Sequence, residues 1–479
     1  MILNILKLLI MISKISLLFF FILFYSSSIQ AQNSDFTPLG GEFVYNVNKY
    51  PCLTNLQRAN IKSRLQNNVE QLKVQNKWIE PEIVSRGSHA SFIWPVQKAA
   101  GVSYNDVWSI SNYVDHNTAY PNQLTDYNCG TRTYDTNSGY NHQGIDIFTW
   151  PFSWKLMDND EAEIIAGASG QIISKSDGQF DRSCGFNNNQ WNAVYIQHSD
   201  GSIAWYGHMK SGSLTTKNVG ESVTQGEYLG IIGSSGNSTG PHLHFEIYED
   251  NSFAQLIDPY SGTCNSLNGD SWWQSQKPYS NPNINAVLTH NAPPVFPTCP
   301  TTETTNESDL FNFSDTIYFG LYLRDQASGT NVNLKIIRPD NSILYDWNFN
   351  LTADYTASWW YWSNTNVFNV DGEWKWQATY QGQTVTHPFT VEGNLGIDEL
   401  NFNATSIYPN PFKDVINISS QSFISNATIM DISGKLIKTI HSPYESIESL
   451  SLRSVSNGMY FLILESDSNQ MKIIKLIKK

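Results

Sequence analysis

Two histidines one residue apart, His242 and His244, close the glycine- and serine-rich run GSSGNSTGPHLHFEI at residues 233–247. In an extended strand, side chains two apart leave from the same face, so both imidazoles enter one pocket while Leu243 turns to the opposite side. Two other stretches carry matching chemistry: YNHQGIDIF sets three residues between His142 and Asp146, and AWYGHMK supplies His208. Paired imidazoles on one face suit a division of labour, in which one holds a metal and the other handles protons beside it. Zinc is the natural ion. A catalytic zinc takes three N or O ligands and keeps a fourth position for water, and two histidines with one carboxylate meet that need. Such a site acidifies water and polarises a carbonyl, which is the chemistry of metal-assisted peptide hydrolysis. Residue types alone leave open which three groups ligate.

The order of the motifs narrows this. HxxxD at His142–Asp146, YGHM around His208 and GxSGxSTGPHLHFE ending at Glu246 resemble the lysostaphin and LytM type of zinc endopeptidase, the β-lytic metallopeptidases of peptidase family M23. The resemblance implies one zinc held by His142, Asp146 and His244, with His208 and His242 acting on the water and on the tetrahedral intermediate. It also implies a substrate among peptidoglycan cross-links or glycine-rich proteins. Glu246 shares the strand face of His244 and reads as support for it. Relatives often carry a tyrosine upstream of HxxxD that steadies the oxyanion; Tyr134 and Tyr140 are both near, and the spacing assigns the role to neither. Gly233, Gly236 and Gly240 allow the backbone to approach the site closely. Two insertions, FTWPFSWKLMDNDEAE and DGQFDRSCGFNNNQW, are expected to shape the substrate groove. The other six histidines, His89, His116, His198, His290, His387 and His441, lack motif context and read as structural.

The elements that must position these groups are mainly strands. From about Tyr113 to Tyr260, short apolar runs alternate with Gly, Asn, Asp and Ser turns, which predicts an antiparallel β-sheet domain. Before it, Thr54 precedes a run with Ile61, Leu65, Val69 and Leu72 at helical spacing, a capped amphipathic helix. That segment reads as a pro-region, a small domain or a brace. After it, a Pro- and Thr-rich stretch from Val295 leads into strands expected to form an immunoglobulin-like β-sandwich. SWWYWSN, Trp374 and Trp376 within it suit sandwich packing better than a sugar-stacking platform. The boundaries read as 1–31 signal peptide, 32–111 N-terminal segment, 112–294 peptidase domain with its closing segment, 295–394 sandwich and 395–479 a small C-terminal β-sandwich.

That last unit has its own resemblance. SIYPNPF, ATIMDISGKLIKTI and the lysine-rich end NQMKIIKLIKK are similar to the C-terminal sorting domain of the type IX secretion system of Bacteroidota. This implies the secretion machinery as a partner and a secreted or cell-surface location. Lys7, Lys14 and the apolar run Ile15–Tyr25 fit a secretory signal, too short for a bilayer span, so no stable membrane span is expected in the mature protein. A net charge of −14 removes the basic face that nucleic acid would need. Five cysteines without CxxC spacing suit disulfides in an exported chain and leave one unpaired. The alternative function is a noncatalytic cell-wall or glycan-binding adhesive protein.

Overall fold

The computed structural model describes residues 37–45, 48–82, 89–296, 303–393, 405–420, 423–442, 444–466 and 471–479. The signal sequence, Cys299 with the middle of its linker, and most of the boundary at EGNLGIDEL lie outside these residues. Two compact units emerge. Of the described residues, the first holds those through Phe311 with Asp315–Thr365 and Glu373–Thr390; the second holds those from Val391 onward with the loops Asn312–Ser314 and Asn366–Gly372.

The first unit is built on an eight-stranded antiparallel sheet. Its strands run Trp108–Asn112, Ile145–Thr149, His242–Tyr248, Ile203–Gly207, Ala193–His198, Gly170–Ser176 and Ser222–Val223, and Leu256–Ile257 pairs with the end of the third. The strand of the histidine pair is therefore central, with His244 opposite Asp146 on one side and Gly207 on the other. Its alternation separates two cores. Leu243, Phe245 and Ile247 pack with Ile147, Tyr206 and Trp273 on one face, while Tyr248 joins Trp191, Tyr195 and Trp205 on the other. The second core is completed by the helix Asn55–Val74, whose Ile61, Leu65, Val69 and Leu72 are buried as the sequence predicts. Thr54 caps it, and Gln57 returns the bond, forming a full capping box. The helix thus lies on the same sheet face as His242 and His244.

Two further sheets form the sandwich. One comprises Leu39–Glu42, Tyr355–Thr365, Thr316–Gln326 and Asn283–His290; the other comprises Leu310–Asn312, Gln383–Glu392, Gly372–Tyr380, Asn331–Ile337 and Ile343–Asn350. Trp362, Trp374 and Trp376 are buried, and Trp376 meets Phe319 of the facing sheet at 5.4 Å. Those three indoles pack the interior. The first insertion does the same: Trp150 and Phe152 are fully buried, and Trp150 Nε1 donates to the Leu323 carbonyl. Its aromatic side chains are committed to the core, and Phe148 at its start stacks on Tyr45 beside His242. The second insertion braces the glycine-rich turn, where the Asn187 and Asn188 amides donate to Asn237.

The second unit pairs a three-stranded sheet (Ser406–Tyr408, Val415–Ser419, Ser449–Ser451) with a four-stranded one (Leu436–His441, Ile424–Asp431, Gly458–Ser466, Met471–Lys478) around Ile416, Ile429, Leu462 and Leu476. Its last strand is an edge on which Lys475 is exposed, a charge that discourages pairing with another chain, whereas Lys478 is buried and donates to the Leu452 carbonyl. No helix among the described residues is long and apolar enough to cross a membrane.

Candidate metal centre

His142 enters the site just before the Ile145–Thr149 strand, Asp146 lies on that strand, and His242 and His244 lie on its neighbour. His208 follows the Ile203–Gly207 strand and holds φ at 61°, a left-handed conformation rare for a non-glycine residue. All five are buried. The five residues singled out by sequence are thereby brought together in one pocket.

Each imidazole is oriented by a second bond. His142 Nδ1 lies 2.7 Å from the Tyr113 carbonyl, so Nδ1 carries the proton and Nε2 turns inward, 3.0 Å from Asp146 Oδ2. His244 is held the other way round: its Nε2 donates to Glu246 at 3.1 Å and its Nδ1 faces Asp146 Oδ1 at 2.9 Å. Glu246 is in turn paired with Arg58 from the helix. Burial works against the Glu246 charge, and Arg58 more than offsets it, leaving the carboxyl at about 2. His208 Nδ1 donates to the Ser235 carbonyl at 2.6 Å and His242 Nδ1 to the Gly240 carbonyl at 2.9 Å; the two rings stand 4.3 Å apart. Burial, then the neighbouring His242, push His208 below the usual imidazole range.

The charge pattern favours a cation. Burial alone would raise Asp146, yet His142 and His242 hold its carboxylate well below the usual range. In His142 burial is likewise outweighed, and Asp146 pushes the imidazole up to about 9. His208 Nε2 is buried without a hydrogen-bond partner, and His142 Nε2, equally buried, faces only the Asp146 carboxylate. Buried polar atoms are rarely left so, and an inward ring of such donors is what a metal satisfies. The ligand atoms of His142, Asp146 and His244 lie within 4.8 Å of one another, as do those of His208 and His242 with a further residue. The donor set fits a metal ion.

Sequence reasoning passed over several neighbours. Asn112 donates to Asp146 Oδ2 at 3.0 Å. Tyr45 donates to the Gly240 carbonyl and lies 3.1 Å from His242 Nδ1. Tyr134, which the sequence offered together with Tyr140 upstream of HxxxD, stacks its ring on His142 at 4.6 Å, and its hydroxyl bonds the Tyr50 carbonyl. Cys52 is the free cysteine and is buried at the site itself, its sulfur 3.1 Å from the Tyr134 hydroxyl. Cys129 and Cys264 are bonded to each other, and Cys184 is also in a disulfide. The odd cysteine count was the signal for Cys52; its place was not readable.

Residues 140–259 match peptidase family M23, and residues 406–479 match the secretion system C-terminal sorting domain. The chain carries an M23 peptidase domain. Peptidoglycan DD-endopeptidase ShyC of Vibrio cholerae is 33% identical over 96 residues, 20% of this chain and 21% of that protein. DD-carboxypeptidase/endopeptidase Mpg of Neisseria meningitidis is 46% identical over 55 residues, 12% of each chain. Cell division protein DipM of Caulobacter vibrioides is 30% identical over 114 residues, 21% of this chain and 18% of that protein. The chain thus spans about a fifth or less of these relatives' lengths. Peptidase family M23 comprises metallopeptidases, in keeping with the His and Asp cluster of the M23 domain. The sorting domain marks the protein as secreted or cell-surface.

Proposed function

We propose that this chain is a secreted zinc endopeptidase that hydrolyses peptide bonds in peptidoglycan cross-links, with glycine-rich proteins as the second substrate class. The convergence of His142, Asp146, His208, His242 and His244 in one buried cluster, with His208 Nε2 unpartnered, is the observation that carries this reading. DD-endopeptidase activity among the similar proteins supports the substrate class. In this reading the pro-region expected over 32–111 ends before Trp108, whose strand belongs to the catalytic sheet, the peptidase domain expected over 112–294 gives way to the sandwich at Asn283, whose strand pairs with Thr316–Gln326, and 395–479 is the sorting domain recognised by the type IX machinery. Export beyond the outer membrane points to the wall of another cell as the target.

His142 through Nε2, Asp146 through its carboxylate and His244 through Nδ1 would hold one zinc. When bound, zinc supplies Lewis-acid polarisation of the scissile carbonyl and lowers the pKa of water. His208, neutral and fixed by Ser235, accepts a proton from the attacking water at Nε2. His208 then releases that proton to the leaving amine, and His242, its ring 4.3 Å away, steadies the oxyanion, so that water is divided between the new carboxyl and the new amino end. Glu246 and Asn112 fix the ligands without touching substrate.

Mass analysis of fragments released from purified cross-linked peptidoglycan by the mature, zinc-loaded protein tests this, beside His208→Ala. New peptide ends are expected from the wild type, with the variant keeping its zinc and losing about 100-fold or more in rate. Equal release by the variant, or none by a folded, zinc-loaded wild type, would overturn the reading.

A further inference from the structure

Cys52 stands where a fourth ligand would stand. Its sulfur and the ligand atoms of His142, Asp146 and His244 all lie within 4.8 Å of one another, and the same sulfur groups with His208 and His242. Donors across a tetrahedral zinc are separated by about 3.4–3.6 Å, given bonds of about 2.0–2.3 Å, so a small contraction completes the set. We infer that Cys52 is a metal ligand of the precursor, whose thiolate fills the position needed by water and keeps the peptidase latent.

This rests on the zinc-site reading above and adds its regulation. A catalytic zinc needs an open position, and a fourth protein ligand converts it into a closed site. The surrounding segment is seated on both sides of the thiol. Upstream, Leu39–Glu42 is hydrogen-bonded to Tyr355–Thr365, Tyr45 engages His242 and Gly240, and Lys49 donates to Asn112. Downstream, the capped helix begins at Asn55 and Arg58 reaches Glu246. Tyr134 contacts both the thiol and the Tyr50 carbonyl. The segment therefore occupies the catalytic face from His242 to Glu246, and no substrate carbonyl reaches the pocket while it stays. Cys52 is also the free cysteine in a chain whose other described cysteines are in disulfides, which suits a thiol reserved for a metal.

X-ray absorption at the zinc edge of the full, uncleaved chain tests the ligand directly. Wild type is expected to show one sulfur at about 2.3 Å among N and O ligands, and Cys52→Ser and Cys52→Ala to keep one zinc while losing that sulfur. Stoichiometric zinc with only N and O neighbours in the wild type would overturn the inference and leave the zinc site standing. Absence of zinc from folded wild type would overturn both. The latching role is read from fragment release by the uncleaved chains: Cys52→Ala should exceed wild type about tenfold, as a larger fraction becomes competent. Unchanged release beside a confirmed sulfur would overturn the latch and leave Cys52 a structural ligand.

Discussion

The proposed ligand set depends on a residue with no side chain. Gly144, inside the HxxxD motif, lies so close to His244 that an added Cβ would stand 2.7 Å from its Cε1 and Nε2 and 2.8 Å from the Phe245 carbonyl. The imidazole is pinned by Glu246, and the carbonyl belongs to the central strand, so neither can yield without moving the site. Gly144→Ala is therefore expected to fold with weakened metal binding, by about 10–100-fold, the cost usual for disturbing a ligand's support. Competition with a chromophoric chelator measures it, and an unchanged affinity would show that the ring shifts freely. That His142, Asp146 and His244 lie together was legible because their motifs follow the order of a family the chain resembles. Gly144 was not, because its importance comes from the approach of a residue 100 positions away, which local sequence does not encode.

At the scale of elements, the clearest signal was the helix Asn55–Val74. A side-chain cap followed by apolar residues at three-to-four spacing is a purely local instruction, and Thr54, Gln57, Ile61, Leu65, Val69 and Leu72 carry it out. Thr54→Ala removes the bond that the Gln57 amide donates to the Thr54 hydroxyl and the one that hydroxyl donates to Gln57 Oε1, while the residue 54 N–H keeps its own bond to Gln57, for a loss of about 1 kcal/mol. Because the cap sits two residues from Cys52, the loss is local: amide exchange in the first helical turn should rise about fivefold while the distal turns keep their protection. Uniform acceleration along the helix would mean that it opens as one body instead. The strand alternation around His242 was equally legible. The interleaving was not. Leu39–Glu42 pairs with a strand more than 300 residues later, and Trp150 and Phe152 look like a surface insertion until their partners in the sandwich are known. Such pairings are chosen by which apolar faces remain uncovered in three dimensions.

On the scale of the whole molecule, the site is assembled from distant pieces and needs a constraint on their wandering. The Cys129–Cys264 disulfide spans 135 residues, a loop that contains His142, Asp146, His208, His242 and His244. Cross-linking a loop of that length lowers the entropy of the unfolded chain by the equivalent of about 5 kcal/mol at most, far more than one hydrogen bond contributes. The sequence required only that one of five cysteines stay unpaired, since spacing does not fix connectivity. The structure gives the division of labour: one bond closes the loop that holds the M23 site, while the free thiol sits inside that site. A chain with Cys129→Ser and Cys264→Ser should therefore unfold at a lower urea midpoint, with a loss of about 2–5 kcal/mol, while its folded fraction keeps zinc affinity within about threefold. That separation follows because the bond acts on the unfolded ensemble, and neither cysteine touches a ligand. A large loss of zinc affinity at unchanged stability would show instead that the bond shapes the native pocket, and the entropic account would fall.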